Sequence, residues 1–316
     1  MTNKEIYRNF CKIEKGIPIF SKDWWLDAVC GEDNWDVILF EKGGEIWASW
    51  PFYLVKKVIF KIVTMPKLTQ TLGIYIKYPE KQKYCNKLSW EKEVISELIK
   101  RFPKVDYFYQ HFHYNFKNWL PFYWSGFKQT TRYTYVIESL DDLDKVFAEF
   151  SHAKQKNIKK AEKIVNVKFD LNAIDFYENH KMTLAKQNQK ISYKYDLFKS
   201  IYDSAYQHNS GKTIYAIDKN NNIHAALFFI WDENSAYDLI STIDPDFRES
   251  GAATLLIKEI IKFVSDKTKK FDFEGSMIEN VENSFRQFGA IQTPYFAISK
   301  TNSKILKLYQ ALRCFL

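Results

Sequence analysis

A chain of 316 residues can form two domains that each bury a core, and 46% hydrophobic with 17% aromatic residues excludes a disordered chain. Its formal charge of +8 favours anionic partners, whether phosphates, nucleic acid or acidic lipid headgroups, without choosing among them. Cys11, Cys30, Cys85 and Cys314 lack C-x-x-C or His-paired spacing, so they indicate neither a disulfide framework nor a zinc site.

Met1 to Tyr7 lack an apolar signal core, and no stretch approaches the ~20 apolar residues that span a bilayer. The expectation is a soluble, cytoplasmic protein. Phe20 to Cys30 reads as a helix with Ser21 as N-cap. Trp35 to Phe40 and Ile46 to Val55 read as a hairpin. Thr71 to Tyr78 is a predicted strand, Leu88 to Phe102 an amphipathic helix, Val105 to Phe112 a strand, Asn118 to Trp124 a short turn or helix, and Lys128 to Ile137 a strand. Ser139-Leu140-Asp141-Asp142 is a capping signal before a new helix, and the domain boundary is placed there, giving domains 1–137 and 138–316. Two or three helices run to Tyr206. Thr213 to Ile217 and Ile223 to Trp231 form a second hairpin, followed by a strand over Ala236 to Ile243 and a helix over Gly251 to Ser265. Phe271 to Glu274 is a short strand, Glu282 to Phe288 a helix, Thr293 to Ser299 a strand, and Lys304 to Arg313 a closing amphipathic helix.

The order of landmarks repeats. Glu41-Lys42-Gly43-Gly44 matches Asp218-Lys219-Asn220-Asn221 between two apolar runs, and Gly126-Phe127-Lys128-Gln129-Thr130 matches Gly289-Ala290-Ile291-Gln292-Thr293 before a strand. The second half also holds Arg248-Glu249-Ser250-Gly251-Ala252-Ala253, an R-x-x-G-x-A turn between a strand and a helix. Backbone N–H groups at a helix N-terminus bind anions. Gly251 would let a pyrophosphate approach, Ala252 and Ala253 keep the wall low, and Arg248 adds charge. The basic run Lys154 to Lys163 reads either as a solvated helix face or as a rim for a polyanionic substrate.

Arg248, Gly251 and Ala253 match the pyrophosphate turn of the GNAT acyltransferase superfamily, which this chain resembles. Through the Lys156 to Lys163 segment, Asp244-Pro245, Phe271-Asp272-Phe273-Glu274-Gly275-Ser276-Met277 and Phe285 to Ala290, it is similar to tandem-GNAT proteins grouped with Fem-type aminoacyl transferases, also called BioF2-like or type-6 acetyltransferase domains. Met65 to Thr71 and Leu120 to Phe127 carry the likeness in the first half. The resemblance implies an α/β fold with mixed sheets, built as two tandem GNAT-like domains packed side by side. It implies acyl transfer from a thioester or an aminoacyl ester to an amine, with the donor on the second domain and the acceptor in the interdomain cleft.

On that likeness the donor, acetyl-CoA or another acyl-CoA with no metal, meets Ser241, Thr242, Ile243, Arg248, Glu249, Ser250, Gly251, Ala252, Ala253 and Thr254. Backbone N–H groups around Ser241 and Thr242 hold the carbonyl. Glu274 and Ser276 sit where the strands splay, and Glu274 can take the proton of an attacking ammonium; it reads equally as a strand-end carboxylate paired with a lysine. Thr69, Gln70, Gln110, His111, His113 and Arg132 are expected to face the acceptor. His111 and His113 read as polar lining rather than metal ligands. The acceptor expected is a small-molecule or cell-envelope-precursor amine in a bacterial-type protein, with neither DNA nor integral membrane association. The alternatives are a Fem-like transferase using aminoacyl-tRNA on a cell-wall precursor, and a non-catalytic CoA- or anion-binding protein. Against the former stands the lack of a long helical arm in the second domain.

Overall fold

The computed structural model describes residues 1–275 and 277–313. The chain divides into two compact units, Met1–Arg132 with Pro294–Leu316, and Tyr133–Thr293. The first division therefore falls at 132/133, beside the expected 137/138, and the end of the chain is counted with the first unit.

The chain begins with α1 (Asn3–Ile13), α2 (Asp23–Cys30), β1 (Trp35–Lys42), β2 (Glu45–Lys57), β3 (Phe60–Thr64) and β4 (Tyr75–Ile76). It continues through α3 (Tyr84–Arg101), β5 (Tyr107–His111), α4 (Leu120–Trp124) and β6 (Lys128–Ile137). Helix α2 starts at Asp23, after the 3-10 turn Ile19–Ser21 that contains the expected cap Ser21; Lys22 is its N-cap, without a side-chain bond. The strand expected over Thr71 to Tyr78 contracts to β4, because Leu72 N–H goes instead to His111 O.

Next come α5 (Leu143–Ala148), α6 (His152–Ala161), β7 (Asn166–Phe169), α7 (Ala173–Ala185), α8 (Tyr195–Gln207), β8 (Gly211–Ile217), β9 (Ile223–Trp231) and β10 (Ser235–Ile243). The chain closes with α9 (Ala252–Val264), β11 (Lys270–Asp272), α10 (Glu279–Arg286), β12 (Ile291–Thr301) and α11 (Lys304–Arg313). Asp142, the last residue of the capping signal, caps α5 by accepting from Lys145 N–H.

In the first unit the strands run β1-β2-β3-β5-β12, with β3 and β5 parallel and the other neighbours antiparallel. In the second they run β7-β8-β9-β10-β11-β6, with β10 and β11 parallel. The landmarks of the repeat fall at equivalent places: both acidic-Lys turns close hairpins, and Gly126 (φ +77) and Gly289 (φ +72) turn the chain from a short helix into β6 and β12. Strand β6, which follows β5 in sequence, pairs with β11; β12, which follows β11, pairs with β5. Each ladder is thus completed by the strand that follows the other copy.

Each unit has its own core. Trp50, Phe108, Phe112 and Phe122 form an aromatic cluster in the first, joined by Ile298 of β12. In the second, Leu255, Leu256, Ile260 and Ile261 of α9 pack with Leu227 and Phe229 of β9 and with Ile158 and Ala161 of α6. Full burial of each such side chain stabilises the fold by about 1.5–3 kcal/mol, so α9 is fixed firmly and its N-terminus with it. Among the described residues, no helix is long and apolar enough to cross a membrane.

Candidate active site

Strand β10 determines the geometry. Its parallel pairing with β11 covers only Ser235–Lys270 to Tyr237–Asp272, while its antiparallel pairing with β9 continues to Ile243. Among the described residues, one edge of β10 is therefore without a sheet partner beyond Tyr237. Asp244 N–H points to His224 O, on the β9 side. By strand alternation Thr242 N–H faces β9 as well, and the N–H groups of Ser241 and Ile243 face the open edge. Of the two residues expected to hold a carbonyl, Ser241 presents its amide there and Thr242 does not. The Thr242 side chain is buried and bonds the Thr183 hydroxyl of α7 at 2.7 Å.

A β-bulge interrupts β10 between Asp238 and Ile240. One extra residue puts positions 238 and 241 on the same face, and Ser241 Oγ donates to both carboxylate oxygens of Asp238, at 2.8 and 2.7 Å. Burial raises the Asp238 carboxyl to about 6, against the lowering effect of the Ser241 bond. The sequence reading missed this residue. Its signal was an acid within the apolar run Ala236-Tyr237-Asp238-Leu239-Ile240.

Across the opening, β11 ends at Asp272, which is fully buried and accepts the Thr134 hydroxyl at Oδ1. Glu274 (φ +57) and Gly275 (φ +61) then turn the chain through two left-handed residues. A Cβ at Gly275 would lie 2.2 Å from Tyr133 O, so only glycine fits. Glu274 keeps some exposure as a residue, yet its Oε1 is enclosed and meets no hydrogen-bond partner. Burial first, and then the charges of Asp272 and Asp238, hold its carboxyl well above the usual range. No lysine pairs with it in an ion pair among the described residues. Ser276 lies outside the described residues.

The turn follows β10. Asp244 caps the 3-10 segment Pro245–Ser250 by accepting from Asp246 N–H, and Lys186 bridges Asp244 and Asp246 at 2.8 and 2.6 Å. Gly251 (φ +77, ψ 7) is the N-cap of α9, and no side chain caps that helix. Ser250 Oγ accepts from Ala252 N–H at 3.2 Å, and Ala253 N–H lies in the first turn, where an α-helix offers no acceptor. Arg248 is exposed and bonds Gln187 at 3.2 Å. Glu249 is exposed, Ser250 and Thr254 are buried and Ile243 is half-buried. The donor set suits a phosphate. The glycine has another cause: a Cβ at position 251 would lie 2.5 Å from Asn157 O of α6. Close helix packing, rather than phosphate approach, requires Gly251.

That contact brings the basic run beside the turn. Lys160 donates to Glu249 O, and Lys156, Lys159 and Lys163 are exposed. Lys154 is buried: its Nζ lies 2.9 Å from Ser284 Oγ and 4.1 Å from the Phe288 ring centre, and burial lowers it to about 8.

The first-unit residues have different surroundings. Gln110 has no exposed surface; its amide bridges Trp50 Nε1 at 2.7 Å and Pro51 O at 3.1 Å within the core. Thr69 is buried and accepts from Trp25 Nε1 at 3.1 Å. His111 bonds the Tyr109 hydroxyl at 2.8 Å and Gln70 O at 3.0 Å, and burial lowers it to about 4. Arg132 Nε reaches the Tyr295 hydroxyl at 3.4 Å, and the Tyr295 ring packs on His111. His111, Arg132 and Tyr295 thus form a polar cluster in which Gln110 takes no part. Among the described residues, no three His, Cys, Asp or Glu side chains are placed to hold a metal.

No family model matches the chain, and no curated protein matches it by sequence. Solved structures match along nearly its whole length. FemX is 12% identical, with 94% of this chain and 96% of that chain covered at a TM-score of 0.69. A conserved protein of unknown function from Bacteroides thetaiotaomicron is 12% identical over 94% of this chain and 96% of that chain, at 0.57. L-PGS from Bacillus licheniformis is 11% identical over 98% of this chain and 96% of that chain, at 0.54. At these identities the likeness shows the fold alone, an α/β fold with mixed sheets like that of FemX and L-PGS.

Proposed function

We propose that the chain is an N-acyltransferase in which the second unit binds an acyl-CoA and passes the acyl group to an amine. The observation that carries this reading is the coincidence at one end of β10 of three features. They are a backbone edge without a sheet partner among the described residues where β11 departs, a carboxyl whose pKa is raised beside it, and a helix N-terminus at the following turn whose N-cap, Gly251, carries no side chain. Acyl transfer needs each of them.

The acyl-CoA would supply a thioester; the C–N bond forms, the C–S bond breaks, and coenzyme A leaves as its thiol with the second proton of the attacking nitrogen. Arg248 and the Ala253 N–H receive the pyrophosphate. The Ser241 and Ile243 N–H groups donate to the carbonyl oxygen, and their fixed direction stabilises the charge that grows on it. Glu274 takes a proton from the attacking ammonium. Its raised pKa suits that exchange, because a strongly acidic carboxyl is a poor proton acceptor. Burial, and then the charges of Asp272 and Asp238, hold Glu274 in that range.

A second reading is supported by the exposed lysines of α6 beside the turn and by the likeness to FemX. In it the donor is aminoacyl-tRNA, and the lysines receive its phosphates. Calorimetric titration of coenzyme A, acetyl-CoA and charged tRNA separates the two. Acetyl-CoA binding with no response to tRNA supports the first; tRNA binding with none to coenzyme A supports the second. Binding to neither overturns both.

A further inference from the structure

The β2–β3 hairpin closes over two residues, since Lys57 pairs with Phe60. Turns of this length ordinarily carry Asn-Gly or a similar pair that tolerates positive φ. Here they are Val58 and Ile59, 89% and 69% exposed, with Val58 at φ +57. A β-branched residue is disfavoured in that region, so neither packing nor turn chemistry explains the pair. Lys56, Lys57 and Lys61 flank it, all exposed.

A second apolar surface lies on α11. Ile305, Leu308 and Tyr309, spaced i, i+3, i+4 on one helix face, are 65%, 63% and 51% exposed, and Lys304 and Lys307 stand beside them. Asp106 joins the two elements. Its Oδ2 accepts from Lys61 N–H at 2.8 Å, and its carbonyl accepts from Asn302 N–H at 2.8 Å and Ser303 N–H at 3.2 Å. The turn end of the hairpin and the start of α11 therefore converge on one residue of the first unit. Residues 53–64 and 297–313 contain no Asp or Glu, and a cleft beside α11 is lined by Lys128, Lys300 and Lys307.

We propose that this edge docks the protein on a bilayer rich in anionic lipid. Val58, Ile59 and the apolar face of α11 enter the boundary between headgroups and acyl chains, and the surrounding lysines meet the headgroup phosphates. Charge selects the occupant. A second copy would bring a surface of like sign against these lysines, whereas an anionic bilayer supplies their counter-charge.

The test is co-sedimentation of the full chain with vesicles of phosphatidylcholine alone, or with one third phosphatidylglycerol. The chain should bind the anionic vesicles, release in high salt, and leave the neutral ones in solution. Val58→Asn with Ile59→Gly restores ordinary turn chemistry, so the variant keeps its fold, and anionic-vesicle binding should fall ~10-fold or more. Leu308→Asp should lower it in the same direction. Absence of binding to anionic vesicles, equal binding to neutral ones, or undiminished binding by the folded hairpin variant overturns the proposal. So does a dimer in sedimentation equilibrium that Leu308→Asp converts to monomer without vesicle binding, which would assign the face to a second copy.

Discussion

The backbone N–H of Glu274 donates to Asp272 Oδ1 at 2.8 Å, so the carboxylate that ends β11 directs the turn carrying the next acid. The Thr134 hydroxyl bonds the same oxygen. This arrangement fixes Glu274 in a left-handed conformation that costs a non-glycine residue about 1–2 kcal/mol, and it brings a second buried carboxylate near the first. Both effects work against stability. They are the expected signature of a group held in place for chemistry.

Glu274→Gln keeps the shape and removes the proposed proton acceptor. Donor binding should persist while single-turnover transfer falls ~10²-fold or more, the usual scale for loss of a general base. An unchanged rate in the folded variant, with only its melting temperature altered, would make Glu274 a structural residue.

Asp238 gives a pH dependence of definite sign. Its folded pKa of about 6 lies above its unfolded value of about 3.9, so stability present below pH ~4 is lost as pH rises through 6. The loss is on the order of 3 kcal/mol. Asp238→Asn stays neutral and still accepts from Ser241. The variant should be more stable than wild type near pH 7, and the difference should shrink towards zero at pH 4. Denaturant melts at both pH values measure this, and a constant difference would exclude a buried, titrating Asp238.

At the turn, Gly251 is a poor place to test anion binding, because any side chain strikes the Asn157 backbone. Gly251→Ala should lower the melting temperature whatever the site binds. Ala253→Asp is cleaner: an acid in the first turn suits the helix dipole and repels a phosphate. Its melting temperature should hold or rise while coenzyme A affinity falls ~10-fold or more. Unchanged affinity would move the site away from this turn.

Much of this arrangement was legible in the sequence. The acidic-Lys turns between apolar runs located both hairpins, and Asp244-Pro245 followed by R-x-x-G-x-A located the start of α9. What was not legible depends on distant parts of the chain. Strand β7 has only Val167 partly buried along Asn166–Phe169, so its sequence carries no strand signal and its place comes from pairing with β8. Asp238 and Ser241 share a face only because a bulge shifts the strand's alternation. Gln110 and His111 are adjacent in one strand, and alternation directs one into the Trp50 core and the other to Gln70 and Tyr109. Gly251 was read as an opening for a pyrophosphate, and the close approach of Asn157 that also demands a glycine comes from a part of the chain far away in sequence.

The repeat itself yields the final prediction, that one donor binds per chain. In the second unit β10 and β11 part, and among the described residues nothing pairs with the β10 edge beyond Tyr237 in the sheet register. In the first unit the equivalent parallel strands are β3 and β5, and the segment after β3 folds back on the end of β5. Leu72 N–H bonds His111 O at 2.6 Å, His111 N–H meets Met65 Sδ at 3.2 Å, and the His111 ring bonds Gln70 O at 3.0 Å. Met65, Gln70 and Leu72 thus cover the end of β5, the place equivalent to the one proposed for the acyl group beside β10. The helix that follows, α3, is entered through Pro79-Glu80-Lys81-Gln82-Lys83, with no glycine and with Lys83 as N-cap. Calorimetry with acetyl-CoA should therefore give one site per chain, and Ala253→Asp should weaken that site. A stoichiometry of two, or one site indifferent to Ala253→Asp, would show that the first unit also binds the donor.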